Sequence, residues 1–273
     1  MLIDRQFVRL SEGLVHYRSC GKSEPGQPLL VMHPSPASSA LMEPVVAACG
    51  ATRPVFAPDT PGNGDSDPLP EAQPEMADYA AAMTRVLDEL EIEQCDVFGF
   101  HTGSHIGIEL ALRIPDRVRR LALHGVAVLS AEDQLDYLKH YAPRKAPDEI
   151  GSQFNWAWHY VRDQMIFYPH FRKTADNIRA GGRLDPDYLH RLTLDVLKAL
   201  EHYHKAYHAV FRHAVLERLA EVTVPTLLLS HPGDPLGGAV QQCQDALAAA
   251  QVHLLADHEP ETLADALADF SRD

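Results

Sequence analysis

Residues 99–103 read Gly-Phe-His-Thr-Gly and join an apolar run, Asp96–Phe100, to a helical pattern, Ser104–Ile114, which Pro115 stops. The apolar run is typical of a buried strand, and the spacing after it is typical of a helix. A tight turn between a strand and a helix needs small residues on both sides of its apex, and the two glycines meet that need. The apex side chain, His101, is therefore predicted to project into a pocket.

Strand-like and helix-like segments alternate over the first 126 residues. Strands are predicted at Phe7–Leu10, Leu14–Tyr17, Leu29–Met32, Pro54–Ala57 and Arg120–His124, and helices at Ser39–Ala48 and Pro74–Glu91. The first two strands form a hairpin with its turn at residues 11–13. The later strands are separated by helices, which predicts an α/β fold with a mostly parallel twisted sheet flanked by helices.

The pattern changes between residues 127 and 222, which are helical, aromatic and rich in histidine and contain no convincing strand. Strands return at Pro225–Ser230 and Val252–Leu255, with helices at Ala239–Ala250 and Glu259–Phe270. We therefore expect a core made of residues 1–126 and 223–273. Residues 127–222 are expected to form a helical cap, or lid, over the carboxyl edge of the sheet, where open α/β sheets bind ligands.

Composition excludes several classes of protein. The 273 residues carry 38 acidic and 24 basic side chains, and a net charge of −14 argues against a nucleic-acid partner. No apolar run is long enough to span a bilayer, and the charged first ten residues contain no signal core, so we predict a cytoplasmic protein. The four cysteines lack CxxC spacing and are expected to be buried free thiols. The oligomeric state is left open.

These features together resemble the α/β-hydrolase fold family, and the resemblance covers nearly the whole chain. Residues 99–103 are similar to the family's nucleophile elbow, residues 33–36 stand where it carries its oxyanion loop, and residues 58–67 look like its turn after the next strand. Asp234 follows a late strand and His258 follows the last strand, where the family places its catalytic acid and histidine. The resemblance implies the α/β-hydrolase fold with an inserted cap.

The apex of the elbow departs from the family pattern, because His101 stands where the family has Ser, or sometimes Asp or Cys. An imidazole in a pocket can act as a base, an acid or a transient nucleophile near neutral pH. In the alternative interpretation the elbow is degenerate and His101 only fills space. Ser104, inside the helix, is a minor alternative nucleophile. We favour a functional His101, because Asp234 and His258 still match the family's order.

The resemblance also implies roles for the remaining site residues. Asp234 would fix the tautomer of His258, whose other ring nitrogen would carry protons. The alternatives are a turn residue for Asp234 and a neighbour of the last helix's N-cap for His258. The backbone N–H groups of Thr102 and Ser35 would form the oxyanion hole, with the Ser35 hydroxyl as a third donor. His33 begins the same loop and is included in the substrate-binding set.

Helical spacing within residues 127–222 suggests two further groups. Trp158 and Arg162 are candidate substrate contacts, and an arginine there would favour a carboxylate or carbonyl, although packing of the cap is the alternative. His204 and His208 are four residues apart, a spacing that can hold a metal. No carboxylate follows in an HExxH pattern and Lys205 adds positive charge, so we predict neither a metal nor a cofactor.

Three functions remain open for a protein with this site. The first is hydrolysis of an ester, thioester, amide or C–C bond in a small, partly apolar carbonyl substrate. His101 would be base or nucleophile and His258–Asp234 the acid/base pair, with water activation preferred because an imidazole leaves little room for an acyl group. The second is a cofactor-free lyase or isomerase that holds an enolate in the same oxyanion hole. The third is a binding protein that has lost catalysis.

Overall fold

Eight strands form one sheet in the computed structural model, which describes residues 2–21, 24–179 and 184–272. The strands are β1 (Asp4–Arg9), β2 (Leu14–Cys20), β3 (Leu29–Met32), β4 (Val55–Pro58), β5 (Cys95–Phe100), β6 (Val118–His124), β7 (Thr226–Ser230) and β8 (Gln251–Leu254). Their order is β1-β2-β4-β3-β5-β6-β7-β8, with β1–β2 and β2–β4 antiparallel and the other pairs parallel. The predicted mostly parallel sheet and its opening hairpin are confirmed.

Helices cover both faces of the sheet. They are α1 (Glu43–Cys49), α2 (Met76–Glu89), α3 (Thr102–Arg113), α4 (Ala131–His140), α5 (Ser152–Ile166), α6 (Pro186–Lys198), α7 (Tyr203–Arg212), α8 (Val215–Ala220), α9 (Val240–Ala246) and α10 (Pro260–Arg272). Side chains alternate along each strand, so Phe98 joins the apolar cluster under α1 and α10 while Val97 joins the cluster under α2 and α3. This alternation gives the sheet two cores.

Several helix boundaries differ from the predicted ones, and two of the differences concern the loop after β3 and the turn after β5. The helix predicted at Ser39–Ala48 is a 3₁₀ turn, Ser39–Met42, followed by α1, because Pro44 lacks an N–H and starts a new helix at its first turn. The helix after the glycine-flanked turn begins at Thr102, two residues earlier than predicted. His101 therefore directly precedes the first helical residue.

Helices α4 to α8 lie between β6 and β7, and we call residues 127–222 the helical segment. Its described part contains no named strand, only an isolated bridge between Phe167 and Ile178. The Tyr207 hydroxyl in α7 donates to the Ser35 carbonyl oxygen at 2.7 Å, and Asp195 in α6 accepts from the Ser38 N–H at 3.0 Å. The helical segment thus contacts the loop after β3. The division into core and cap stays a prediction.

The structure also bears on the expectations about the cysteines and about membrane-spanning segments. Cys49, Cys95 and Cys243 are free and buried, and Cys20 is buried as well. Across the described ranges, every helix is too short or too polar to cross a membrane.

Candidate active site

His101 sits at the apex of the turn between β5 and α3 with a φ of 51°, in the left-handed region that side chains other than glycine rarely adopt. Its N–H donates to the His124 carbonyl oxygen at 2.9 Å. A Cβ on Gly99 would lie 2.3 Å from the Gly103 carbonyl oxygen, and one on Gly103 would lie 2.3 Å from the Met32 carbonyl oxygen. Both glycines are therefore required, as predicted.

The imidazole of His101 pairs directly with Asp234. His101 Nε2 lies 3.1 Å from Asp234 Oδ1; the aspartate side chain is completely buried and the imidazole is 25% exposed. Burial alone would raise the pKa of Asp234, but the hydrogen bond and charge of His101 and the Leu236 N–H lower it to about 2. The carboxylate is therefore ionised at neutral pH and accepts a hydrogen bond from the Nε2–H group of His101, which leaves Nδ1 of His101 with its lone pair.

His258 lies outside this contact. It is exposed, and the centroid of its ring is 5.9 Å from that of His231. The hydrogen bonds that the Asp234 carboxylate accepts among the described residues come from His101 and from the Leu236 N–H, at 2.9 Å. The sequence predicted that Asp234 would pair with His258, whereas in the structure Asp234 pairs with His101. The physical reason is the length of the imidazole at the apex, which reaches the carboxylate without an intermediary.

The two predicted oxyanion-hole residues are neighbours. The Ser35 N–H donates to Thr102 Oγ1 at 3.1 Å, which brings the loop after β3 to the first residue of α3. The Ser35 hydroxyl is buried and has no hydrogen-bond partner among the described residues. Two backbone donors and one unpartnered hydroxyl thus meet beside the His101 turn.

His33 supports this loop from inside the fold. Its side chain is fully buried; Nε2 accepts from the Thr60 N–H at 2.8 Å, and Nδ1 lies 2.9 Å from the Pro34 carbonyl oxygen. Burial lowers the pKa of His33, so the ring is neutral and carries its proton on Nδ1. His33 therefore acts on the site by fixing the loop, and its ring is not available to a substrate.

The candidate contacts in α5 are placed less favourably than expected. Trp158 is 38% exposed, on the opposite side of α5 from the buried Tyr160. Arg162 is bonded to its neighbour Asp163, with Nη2 to Oδ1 at 2.7 Å. His208 Nε2 donates to the Ala142 carbonyl oxygen at 3.1 Å, and this arrangement favours a packing role for the His204–His208 pair.

Two histidines that sequence reasoning did not single out complete the surroundings of Asp234. His124 ends β6 and His231 follows β7; His124 Nε2 lies 2.8 Å from His231 Nδ1 and 3.6 Å from Asp234 Oδ2. Burial lowers the pKa of His124 to about 3, so its ring is neutral. Their positions at the carboxyl ends of two strands could have indicated them, since residues at the carboxyl ends of neighbouring parallel strands lie close together.

A cavity of about 220 Å³ opens beside Asp234. Tyr168 and Arg179 of the helical segment line one side, and residues 233–235 line the other. Arg179 Nη1 donates to the Gln164 carbonyl oxygen at 2.8 Å, which leaves further guanidinium N–H groups for a ligand. The cationic residue at this cavity is thus Arg179, which the sequence analysis did not select.

The family model described as the alpha/beta hydrolase fold matches residues 27–236, most of the chain. The protein therefore belongs to the alpha/beta hydrolase fold family.

Two related proteins and one solved structure illustrate what this chain is similar to. The chain is 37% identical over 123 residues to a 2-hydroxymuconate semialdehyde hydrolase from Pseudomonas sp. strain CF600, a match to 43% of this chain and 44% of that protein. It is 29% identical over 218 residues to a putative carbamate hydrolase RutD from Azorhizobium caulinodans, covering 77% and 75%. The crystal structure of the enol-lactonase from Burkholderia xenovorans LB400 superimposes with a TM-score of 0.74 at 20% identity, covering 98% and 100%. The match to the first relative spans less than half of either chain.

Proposed function

We propose that this protein is a hydrolase of small, partly apolar carbonyl compounds in which His101 replaces the family's serine. The observation that carries this proposal is the 3.1 Å contact of His101 Nε2 with Asp234 Oδ1. A buried, ionised carboxylate fixes one tautomer of the imidazole and stabilises the imidazolium that forms when it accepts a proton. His101 Nδ1 is then the base of the site.

The length of the apex side chain explains why two residues suffice. A serine hydroxyl is too short to reach the acid, so a histidine must stand between them in a serine hydrolase. The imidazole of His101 spans that distance and leaves no place for His258 beside Asp234 Oδ1. In this proposal His258 is an exposed second proton carrier, next to His231.

Water is the nucleophile in the proposed reaction. His101 Nδ1 removes a proton from water while the oxygen adds to the carbonyl carbon, and the imidazolium then returns the proton to the leaving group. The N–H groups of Thr102 and Ser35 stabilise the oxyanion, after the Ser35 N–H exchanges Thr102 Oγ1 for the substrate oxygen. The unpartnered Ser35 hydroxyl is available as a third donor.

The names of similar proteins support carbonyl chemistry. They are a semialdehyde hydrolase, a carbamate hydrolase and an enol-lactonase, and each name denotes a substrate that contains a carbonyl group. We further propose that the helical segment acts as a cap above a core made of residues 1–126 and 223–273. Its contacts with Ser35 and Ser38 support this role. A cytoplasmic location is part of the same proposal and agrees with the buried thiols.

The test is turnover of short p-nitrophenyl esters by wild type, His101→Gln, His101→Ala and Asp234→Asn. Glutamine keeps an N–H for Asp234 but has no basic nitrogen, so we expect kcat to fall by at least about 100-fold in His101→Gln, as in His101→Ala. Asp234→Asn should also lower kcat, because an amide does not stabilise the imidazolium. His208→Gln, in α7, is the matched histidine control and should keep wild-type kcat.

Wild-type turnover that survives His101→Gln would overturn the role of His101. A pre-steady-state burst would indicate an acyl-imidazole in place of direct attack by water. If wild type hydrolyses no ester but exchanges the α-protons of a carbonyl compound with D₂O, and His101→Gln stops the exchange, the lyase or isomerase function replaces hydrolysis.

A further inference from the structure

His124, His231 and Asp234 bring three metal-ligating atoms together next to His101. His124 Nε2 is 2.8 Å from His231 Nδ1 and 3.6 Å from Asp234 Oδ2. One ligating atom from each of the three residues lies within 4.8 Å of the other two. Ligand atoms around a tetrahedral zinc ion are about 3.3 Å apart, given metal–ligand bonds of about 2.0 Å. The separations of 2.8 Å and 3.6 Å lie on either side of that value.

Hydrogen bonds alone leave this cluster unsatisfied. The Asp234 side chain is completely buried, yet Oδ2 has no hydrogen-bond partner among the described residues, whereas Oδ1 accepts two. A single proton between His124 Nε2 and His231 Nδ1 satisfies those two nitrogens and provides nothing for Oδ2. A buried carboxylate oxygen without a donor or a cation is costly, so its position against two imidazole nitrogens calls for a ligand.

We infer that His124, His231 and Asp234 Oδ2 form a binding site for a divalent first-row transition-metal ion such as Zn²⁺. Two imidazoles and a carboxylate suit zinc, cobalt and iron, whereas Mg²⁺ and Ca²⁺ prefer oxygen ligands. His124 ends β6 and His231 directly follows the neighbouring strand β7, with which β6 pairs in parallel. Asp234 lies in the turn after β7, where its N–H donates to the His231 carbonyl oxygen at 3.1 Å.

The supporting contacts fit a bound metal. Ligating carboxylates are commonly hydrogen-bonded through their second oxygen, and the His101 Nε2–H donates to Asp234 Oδ1. His124 Nδ1 has no acceptor among the described residues, so we expect micromolar rather than tighter affinity. The inference goes beyond the proposed hydrolysis, because the metal uses Oδ2 and the catalytic base uses Oδ1.

The test is titration of the EDTA-treated full-length protein with Co²⁺, followed by the visible absorption of the bound ion and by equilibrium dialysis. We expect one ion per chain, a visible d–d spectrum, and its loss when Zn²⁺ is added. His231→Gln and Asp234→Asn should each weaken binding at least tenfold. His208→Gln is the matched control, since it removes a histidine from the i,i+4 pair that could bind Co²⁺ on its own.

The outcomes separate this site from the proposed function, because the spectrum of cobalt does not depend on ester turnover. Circular dichroism establishes that each variant is folded, and His231→Gln keeps the proposed His101–Asp234 base intact. Loss of the spectrum in His231→Gln alone already supports the site if Asp234→Asn fails to fold. The inference is overturned if wild type binds no stoichiometric Co²⁺, or if binding survives His231→Gln and disappears in His208→Gln.

Discussion

Gly125 lies against both members of the His101–Asp234 pair. It has a φ of +68°, and a Cβ there would lie 2.7 Å from His101 Nε2 and 2.9 Å from Asp234 Oδ2. Gly125→Ala should therefore push the imidazole off the carboxylate and lower kcat for a p-nitrophenyl ester by at least about tenfold. The positive φ should also cost about 1 kcal/mol of unfolding free energy, measured by urea denaturation.

Gly238 provides the control for this substitution. It follows β7 in the same part of the fold, and a Cβ there would have no heavy atom within 4 Å. Gly238→Ala should leave both kcat and the unfolding free energy near wild type. Equal losses in the two variants would mean that the contact with the His101–Asp234 pair is not what makes Gly125 necessary.

Substitutions of Arg179 and Arg162 can show which of these two arginines contacts the substrate. Arg179 lines the cavity beside Asp234, whereas Arg162 is bonded to Asp163. For an ester with a carboxylate in its acyl group, Arg179→Gln should raise KM by about tenfold with little change for a neutral ester. Arg162→Gln should change neither KM. A larger effect of Arg162→Gln would favour the contact predicted from helical spacing.

At the candidate site, the sequence predicted the position of each residue in the fold better than it predicted which atoms are in contact. His101, Asp234 and Ser35 were selected from their order along the chain, and their turns are where that order implies. The direct His101–Asp234 bond depends on the reach of a side chain, which spacing does not encode. His124 was predicted only as the end of a strand. The sequence contains 16 histidines, and nothing in it indicates that His124 contacts His231 across the sheet.

Helix α6 is tied to the loop after β3 by a half-buried carboxylate. Asp195 accepts from the Ser38 N–H and hydroxyl, at 3.0 Å and 3.1 Å. Burial raises the pKa of Asp195 to about 6; the nearby charge of Asp59 acts in the same direction and Lys198 opposes it. The native protein therefore holds this proton more tightly than the unfolded chain does.

The raised pKa of Asp195 determines whether the unfolding free energy rises or falls with pH. The contribution of Asp195 to stability is fully present below its unfolded pKa of 3.8 and is lost as pH rises through about 6. Asp195→Asn keeps an acceptor for the Ser38 N–H without the charge. Relative to wild type, the variant should gain about 1 kcal/mol of unfolding free energy between pH 4 and pH 7, after allowance for partial exposure.

Urea denaturation at the two pH values measures this difference. Asp265→Asn is the control, because Asp265 is an exposed aspartate in the middle of α10. It should reproduce the pH dependence of wild type. A difference for Asp195→Asn that does not change between pH 4 and pH 7 would contradict a raised pKa at this position.

Individual elements were predictable where burial dominates. The prediction for β3, Leu29–Met32, matches the structure residue for residue, because a strand buried on both faces reads as a continuous apolar run. The helix predicted at Ala239–Ala250 ends at Ala246 instead. Alanines at 246 and 248–250 continue the helical pattern in the sequence, and tertiary packing, which propensity does not include, ends the helix.

Across the whole molecule, the candidate active site and a network of buried ion pairs lie at opposite ends of β5. Asp96 is the second residue of β5 and lies four residues before Phe100, which ends the strand about 13 Å away at the rise of a strand. Its carboxylate accepts from Arg53 Nη2 at 2.5 Å, Arg119 Nε at 3.1 Å and the Ser271 hydroxyl at 2.7 Å. One buried carboxylate thus joins the start of β5 to β6, α10 and the chain before β4.

Removing this carboxylate should destabilise the protein without lowering the kcat of the folded molecule. Asp96→Ala leaves the buried Arg53 guanidinium without its counter-charge and should lower the unfolding free energy by about 3 kcal/mol. Asp269→Ala breaks an ion pair with Arg272 that is about 70% exposed on each side, and should change it by less than about 0.5 kcal/mol. Because the network lies at the far end of β5, folded Asp96→Ala should keep wild-type kcat at low temperature, whereas Gly125→Ala should lose it. A fall in kcat for Asp96→Ala that parallels its loss of stability would mean that the two ends of β5 are coupled.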